Sequence, residues 1–451
     1  MSALHIGSAF LDHGWARDVR LEISGGRIAA IDEGVPPRPT DELVAIALPG
    51  MPNLHSHAFQ RGMAGLAERQ GPADDSFWTW REIMYRFVAA MTPDDIEAIA
   101  AFAYVEMLES GFTRVGEFHY LHHDVDGRPY ADVAETAGRI GAAASQSGIG
   151  LTLLPVFYAH GGFGGVPTGS GQRRFVTDIA GYARLVDGCR AVAATMTDTV
   201  VGVAPHSLRA VTPDELQAIV PLAEGGPLHI HIAEQIREVT ECVAWCGRRP
   251  VAWLMDQVAV DASWCLVHAT HVTPRERNRL ASTGAVAGLC PITEANLGDG
   301  VFPASSYRLG GGVWGIGSDS NVLIDMAEEL RLLEYGQRLT ERRRNRMAAG
   351  NGSSTGSLMF AEAVAGGGRA LGSLAGLRTG LSADIVSLKA DHPSLLSRAG
   401  DQFLDGLIFG GRKDLIDCVW RAGRKVVANG VHVRRDEITR GYRSAITRLL
   451  A

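Results

Sequence analysis

The sequence predicts an α/β protein: a (β/α)8 TIM-like barrel with a small β-sandwich domain built from both chain ends. In the middle of the 451-residue chain, eight apolar strand-like runs alternate with helical stretches, which is typical of a parallel sheet surrounded by helices. Near both ends, short β-rich runs are broken by Ser-Gly-Gly and Asn-Gly, as in hairpins. We expect the β-domain to comprise residues 1–48 and 375–451, and the barrel residues 49–374.

The barrel elements can be placed in order along the chain. The segment 92–110 is typical of the helices between strands, because it opens with a Thr N-cap, a Pro at the first helical position and acidic residues in the first turn. The eight candidate strands are residues 47–57, 111–120, 149–160, 200–207, 227–234, 263–271, 285–293 and 312–319.

Composition and charge exclude several classes of protein. The net charge of −7 argues against a broad surface for nucleic acid. The sequence has no apolar stretch near the roughly 18 residues of a membrane span, and charged residues stand where a signal peptide needs an apolar block. The six cysteines are scattered without a CxxC pair, which favours free thiols in a reducing compartment. We expect a cytoplasmic protein that binds neither membrane nor nucleic acid.

Polar side chains recur where the apolar strands end. Because the carboxyl ends of barrel strands converge on one face, residues that are distant in sequence meet there. Such residues are His55, His57, Glu117, His119, His206, His231, His268 and Asp319.

Four of these residues predict a metal site. His55 and His57 are two positions apart on a strand, so both imidazoles point the same way. His231 lies on the fifth strand, and Asp319 ends the eighth as a carboxylate that is costly to bury unless it is paired or binds a cation. Three imidazole nitrogens and one carboxylate suit a single divalent cation, zinc in the first instance, with iron and manganese left open. Such an ion lowers the pKa of bound water to roughly 7.

The order of these motifs resembles the amidohydrolase superfamily. The HxH after the first strand, the histidines of strands five and six and the aspartate of strand eight all match, as do LPGMPNLHSHAFQ and GLSADIVSL near the flanking β-domain. Strand four has no lysine that could be carboxylated to bridge two metals, so the resemblance implies one metal ion. The HxxE of His231 and Glu234 is similar to the deaminase branch. The resemblance to this branch implies catalytic roles for Glu234, His268 and Asp319, and Glu234 is expected to transfer protons.

Further motifs are similar to those of the formimidoylglutamate deiminase family. They are HAFQRG (57–62), FWTWR (77–81), GEFHY (116–120) and APHSLR (204–209). The resemblance implies hydrolysis of N-formimino-L-glutamate to N-formyl-L-glutamate and ammonia in histidine degradation, and a homodimer. Arginine binds carboxylates bidentately, which suits a small dicarboxylate substrate. The residues implied to bind it are Gln60, Arg81, Tyr120, His206 and Arg209.

Two alternatives stay open at the level of sequence. A purine-type deaminase or a chlorohydrolase would use the same metal chemistry, and only Arg81, Tyr120 and Arg209 argue against it. A non-catalytic scaffold is disfavoured because all four metal-ligand candidates, together with Glu234 and His268, are present.

Overall fold

The structure, a computed structural model, describes residues 2–70 and 77–451. The strands are β1 (Ser2–Leu11), β2 (Gly14–Ser24), β3 (Arg27–Asp32), β4 (Glu42–Pro49), β5 (Met51–Ser56), β6 (Phe112–His119), β7 (Gly150–Phe157), β8 (Val200–Val201), β9 (Ala204–Pro205), β10 (Leu228–Ile232), β11 (Trp264–His268), β12 (Val286–Leu289), β13 (Val313–Ile316), β14 (Ile385–Leu388), β15 (Ile416–Arg421), β16 (Arg424–Ala428) and β17 (Val431–His432). The helices are α1 (Phe77–Val88), α2 (Pro93–Glu109), α3 (Glu135–Ser147), α4 (Ile179–Ala194), α5 (Pro213–Ile219), α6 (Ile236–Cys246), α7 (Pro250–Gln257), α8 (Pro274–Thr283), α9 (Pro291–Leu297), α10 (Ala304–Leu309), α11 (Met326–Glu341), α12 (Thr355–Ala370), α13 (Gln402–Asp405) and α14 (Arg435–Leu450).

The central strands form the predicted barrel. Strands β5, β6, β7 and β8 pair in parallel, β9 adds to β7, and β10 to β13 form a second parallel sheet. Parallel backbone bridges join the two sheets at both edges, between Ser207 and His231 and between Ser56 and Asp319. The amide of Asp319 also donates to the carbonyl of His55 at 3.0 Å. The segment after β13, the last barrel strand, is therefore joined to β5, the first barrel strand, beside the predicted site residues.

The chain ends build the predicted small β-domain. Its hydrogen-bonded strand order is β17-β16-β15-β14-β4-β1-β2-β3. The four C-terminal strands therefore form one half of the sheet and the four N-terminal strands the other, and the halves join where β14 pairs with β4. Buried side chains such as Leu21, Val44 and Ile385 form a core separate from that of the barrel. The boundaries at 48/49 and 374/375 stay a prediction.

The helices around the barrel follow local sequence rules. Thr92 caps α2 by accepting from the backbone of Asp95, whose carboxylate accepts from the Thr92 amide in return. The sequence analysis does not anticipate α14, the last helix, which lies on α2 with the rings of Tyr442 and Phe102 stacked 4.0 Å apart. Across the described residues, no helix has the length and apolar character that a membrane crossing requires.

Candidate active site

The four predicted metal-ligand residues meet at one point. His55 lies on β5, His57 follows it, His231 lies on β10 and Asp319 comes three residues after β13. The Nε2 atom of His55 is 3.3 Å from that of His57 and 3.0 Å from that of His231. Asp319 Oδ1 lies 3.4 Å from His55 Nε2 and 3.3 Å from His57 Nε2. All four residues are buried. The barrel therefore brings the whole predicted set together.

The imidazoles are oriented to present lone pairs to this point. His57 Nδ1 donates to the carbonyl of Phe118 at 2.9 Å, and His231 Nδ1 donates to the carbonyl of His206 at 3.0 Å. A neutral imidazole with its proton on Nδ1 has an unprotonated Nε2. Burial lowers the pKa of all three histidines, that of His55 to about 3, so they are neutral. Converging lone pairs repel one another unless a cation lies between them, and the donor set fits a divalent cation.

Asp319 supplies the only negative charge of this four-residue group. Burial opposes its ionisation, but the contact with His55 and the neighbouring imidazoles hold the pKa of Asp319 below its ordinary range. Asn321 donates to the backbone carbonyls of Asp319 and His57, at 3.0 and 3.2 Å, and so ties the two ligand segments together. The cluster thus has one ionised carboxylate on a backbone that Asn321 ties to that of His57.

The backbone is strained where these strands end. Ala233, His268 and Asp319 adopt left-handed conformations, with φ values of 51°, 66° and 44°. Residues other than glycine rarely occupy this region, and such outliers cluster at functional sites. In two of these segments, residues close to the strained position line one cavity: His231 and Glu234 in the first, Asp319 and Ser320 in the other.

Glu234 and His268, the predicted proton-transfer residues, lie beside the cluster and line the same cavity. Burial raises the pKa of Glu234 to about 7, with His268 and Arg209 opposing the rise. Burial lowers the pKa of His268, but Glu234, Glu294 and Asp319 outweigh it and raise the value to about 10. A carboxyl group that titrates near neutral pH next to an imidazolium suits proton transfer.

The predicted substrate-binding residues line a cavity next to the cluster. Gln60 donates to the hydroxyl of Tyr120 at 2.9 Å. The guanidinium groups of Arg81 and Arg209 lie 4.7 and 5.3 Å from the ring of Trp78, and the Nε atom of each is buried with no partner among the described residues. The cavity is lined by all five predicted residues, Gln60, Arg81, Tyr120, His206 and Arg209.

Two carboxylates that the sequence analysis missed support this site. Glu294 Oε1 lies 3.2 Å from His268 Nδ1. Glu238 accepts from the backbone amides of Ala233 and Glu234, both at 3.0 Å, and so holds the turn that carries Glu234. The available signal was position: each is an acidic residue a few positions after a strand end, at a helix start.

Two other polar residues of the barrel strands, Glu117 and His229, make contacts within the scaffold. Glu117 accepts from the amide of Ala58 at 2.7 Å, next to the histidine pair, and burial raises its pKa to about 8. His229 alternates with His231 on β10 but bonds through Nε2 to the carbonyl of Ala370, deeper in the barrel, at 2.7 Å. The ring nitrogens of His119 are buried without a hydrogen-bond partner in the described part of the chain.

Known proteins match this chain over its full length. Residues 46–426 match the amidohydrolase family, and residues 1–45 match the N-terminal domain of formimidoylglutamate deiminase HutF. The chain is 50% identical to formimidoylglutamate deiminase of Pseudomonas aeruginosa, with all of both chains covered. A crystal structure of an amidohydrolase from Brucella melitensis is 54% identical, covers 100% of both chains and has a TM-score of 0.97.

A more distant relative has another substrate in its name. The 5-methylthioadenosine/S-adenosylhomocysteine deaminase of Haloarcula marismortui is 28% identical over 84% of this chain and 81% of its own. The identity to the deiminase, 50% over the whole chain, is much higher than the 28% over 84% of the chain to this deaminase. The chain therefore belongs to the amidohydrolase family and, within it, to the formimidoylglutamate deiminase group.

Proposed function

We propose that this chain is a formimidoylglutamate deiminase, which hydrolyses N-formimino-L-glutamate to N-formyl-L-glutamate and ammonia in histidine degradation. The observation that carries the proposal is one cavity that combines a buried three-histidine, one-aspartate cluster with two guanidinium groups. The full-length relative at 50% identity bears the name of this activity.

The cavity suits the two ends of this substrate. N-formimino-L-glutamate has two carboxylates and an amidine-like head. Arg81 and Arg209 offer planar forks of donors for the carboxylates, and their buried Nε atoms still lack partners within the described residues. Gln60, Tyr120 and His206 add neutral polar groups to the same cavity. The rings of Tyr120 and His206 lie 5.1 and 5.0 Å from those of His57 and His231. We assign all five to substrate binding.

We infer that His55, His57, His231 and Asp319 hold one divalent cation, with zinc the best match to a mixed nitrogen and oxygen set. A cation bound there supplies Lewis acidity and an activated water. The carbonyls of Phe118 and His206 keep the two imidazoles that donate to them in the ligating tautomer, as supporting hydrogen bonds do at metal sites.

The remaining residues handle protons and charge. With a pKa near neutral, Glu234 takes a proton from the attacking water and delivers one to the departing nitrogen, which leaves as ammonia. His268 is protonated beside Glu294. It donates toward the water-derived oxygen on which negative charge develops when that oxygen adds to the formimino carbon. Asp319 acts both as a ligand of the cation and as a proton acceptor. Glu234 thus moves the protons, while the imidazolium of His268 stabilises the developing charge.

The decisive experiment is ammonia release from N-formimino-L-glutamate by the purified protein. We expect turnover that a chelator removes and that one equivalent of zinc restores. 5-Methylthioadenosine and an aminopurine serve as the competing substrates, since the Haloarcula relative is a nucleoside deaminase by name. Faster ammonia release from either one, or turnover that survives complete removal of metal, would overturn the proposal. We also expect a cytoplasmic homodimer, which gel filtration and cell fractionation test.

A further inference from the structure

A second group of metal-ligand side chains lies beside the first. His268, Cys290 and Asp319 each place a ligand atom within 4.8 Å of the other two, and all three residues are buried. Asp319 belongs to both groups. Its Oδ1 atom faces His55 and His57, whereas its Oδ2 atom lies 3.7 Å from His268 Nε2. One carboxylate is thus placed to bridge two neighbouring positions.

Glu294 holds two members of this second group in place. Its Oε1 atom is 3.2 Å from His268 Nδ1 and accepts from the backbone amide of Cys290 at 2.9 Å. When Nδ1 donates to this carboxylate, the second ring nitrogen of His268 is turned toward Asp319. The imidazole and the backbone that carries the thiol are therefore fixed by the same residue.

The donor types define which cation this group would take. A thiolate together with an imidazole and a carboxylate suits zinc and softer ions such as cadmium, whereas magnesium and calcium prefer oxygen ligands alone. Binding releases the thiol proton of Cys290 and the Nε2 proton of His268 to solvent, because the thiolate and the unprotonated ring nitrogen are the forms that ligate. The cation reaches the group through the cavity, which His268 and Asp319 line.

We propose that His268, Cys290 and Asp319 form a second, inhibitory site for a thiophilic divalent cation. A cation bound there occupies the lone pairs of His268 and Asp319, so neither group is available for proton transfer. The binding claim depends only on the geometry of the three side chains. The inhibition claim also rests on the proposed function, and the two are measured separately.

The binding experiment follows the thiolate-to-cadmium absorption band in protein that holds one equivalent of zinc. Cys246 is first replaced by Ser, because its Sγ atom lies 4.0 Å from that of Cys242 and this pair would bind cadmium by itself. Cys290→Ser and Cys290→Ala are made in that background. Cys265→Ser is the matched control, since Cys265 is equally buried but lies outside the group. Metal content after desalting reports both ions, and circular dichroism checks folding.

We expect one equivalent of cadmium to bind with zinc retained, and the band to disappear in both Cys290 variants but not in Cys265→Ser. Excess zinc should inhibit ammonia release, with an inhibition constant about tenfold or more weaker in folded Cys290→Ser. A band that persists without Cys290, or one that Cys265→Ser removes, overturns the proposal. If the band behaves as expected while no variant releases ammonia, the site stands and the proposed function fails.

Discussion

Replacing Arg209 by Met tests how the cavity recognises its substrate. The Arg209 side chain is 7% exposed, and its Nε atom has no partner among the described residues, so a bound carboxylate would meet a desolvated guanidinium. A bidentate pair contains two charge-assisted hydrogen bonds, each worth about 1.5 kcal/mol or more. Their loss costs about 3 kcal/mol, which corresponds to a decrease of about a hundredfold in kcat/KM.

The assay compares N-formimino-L-glutamate with N-ethylformamidine, an amidine without carboxylates. We expect the hundredfold loss with the first substrate and little change with the second. Arg237→Met is the matched control: its guanidinium lies 4.3 Å from the same Trp78 ring, but the side chain is 60% exposed and pairs with Glu241. That exposed pair is worth at most about 1 kcal/mol. Equal losses for both substrates, or an equal loss in the control, would refute carboxylate recognition by Arg209.

Three further predictions follow from the site and its support. Glu234→Gln should lower kcat by about a hundredfold or more with metal content unchanged; activity within a few-fold of the parent enzyme would contradict the proton-transfer role. Glu238→Gln should lower kcat by about tenfold with a small change in KM, because the amide retains only one acceptor for the two backbone donors of the Glu234 turn; a rise in KM alone would be the contrary result. Burial opposes ionisation of Asp198, but Arg114 and Arg421 hold its pKa below the ordinary value, so its carboxylate stabilises the fold above that value and less as pH falls through the folded-state pKa. Asp198→Asn should therefore destabilise the protein to urea at neutral pH and progressively less in acid, and a difference that grows in acid would contradict this sign.

The metal-ligand candidates could be predicted because barrel topology is regular. Each of the four stands at or just after the carboxyl end of an apolar strand: His55, His57, His231 and Asp319. These strand ends meet on one face of a barrel, independently of the conformations of the loops. The supporting residues could not be found in this way. Glu294, in α9, and Asn321, after β13, make their contacts only when the segments that follow the strands fold back over the barrel. Acidic and amide residues are otherwise common on protein surfaces.

Sequence patterns predict residue roles least well where two residues of the same type have different partners. His229 and His231 are two positions apart on β10, yet one bonds a helix carbonyl deep in the barrel while the other faces the metal-ligand cluster. The sequence has the same alternation at both positions, and only depth along the barrel axis separates them. The final helix α14 was not anticipated either, since its apolar residues Ile438 and Ala445 are buried only where α2 lies beside them.

By itself the sequence determined the order of the barrel strands, the residue types at strand ends and the chemistry they can perform, because these follow from local periodicity and from the donor atoms of each side chain. Tertiary structure decided which nitrogen of each imidazole faces the cluster, that Glu238 holds the turn of Glu234 and how Asp319 comes to face both groups of candidate ligands. These depend on backbone carbonyls and amides contributed by distant segments, whose positions are fixed only when the barrel closes.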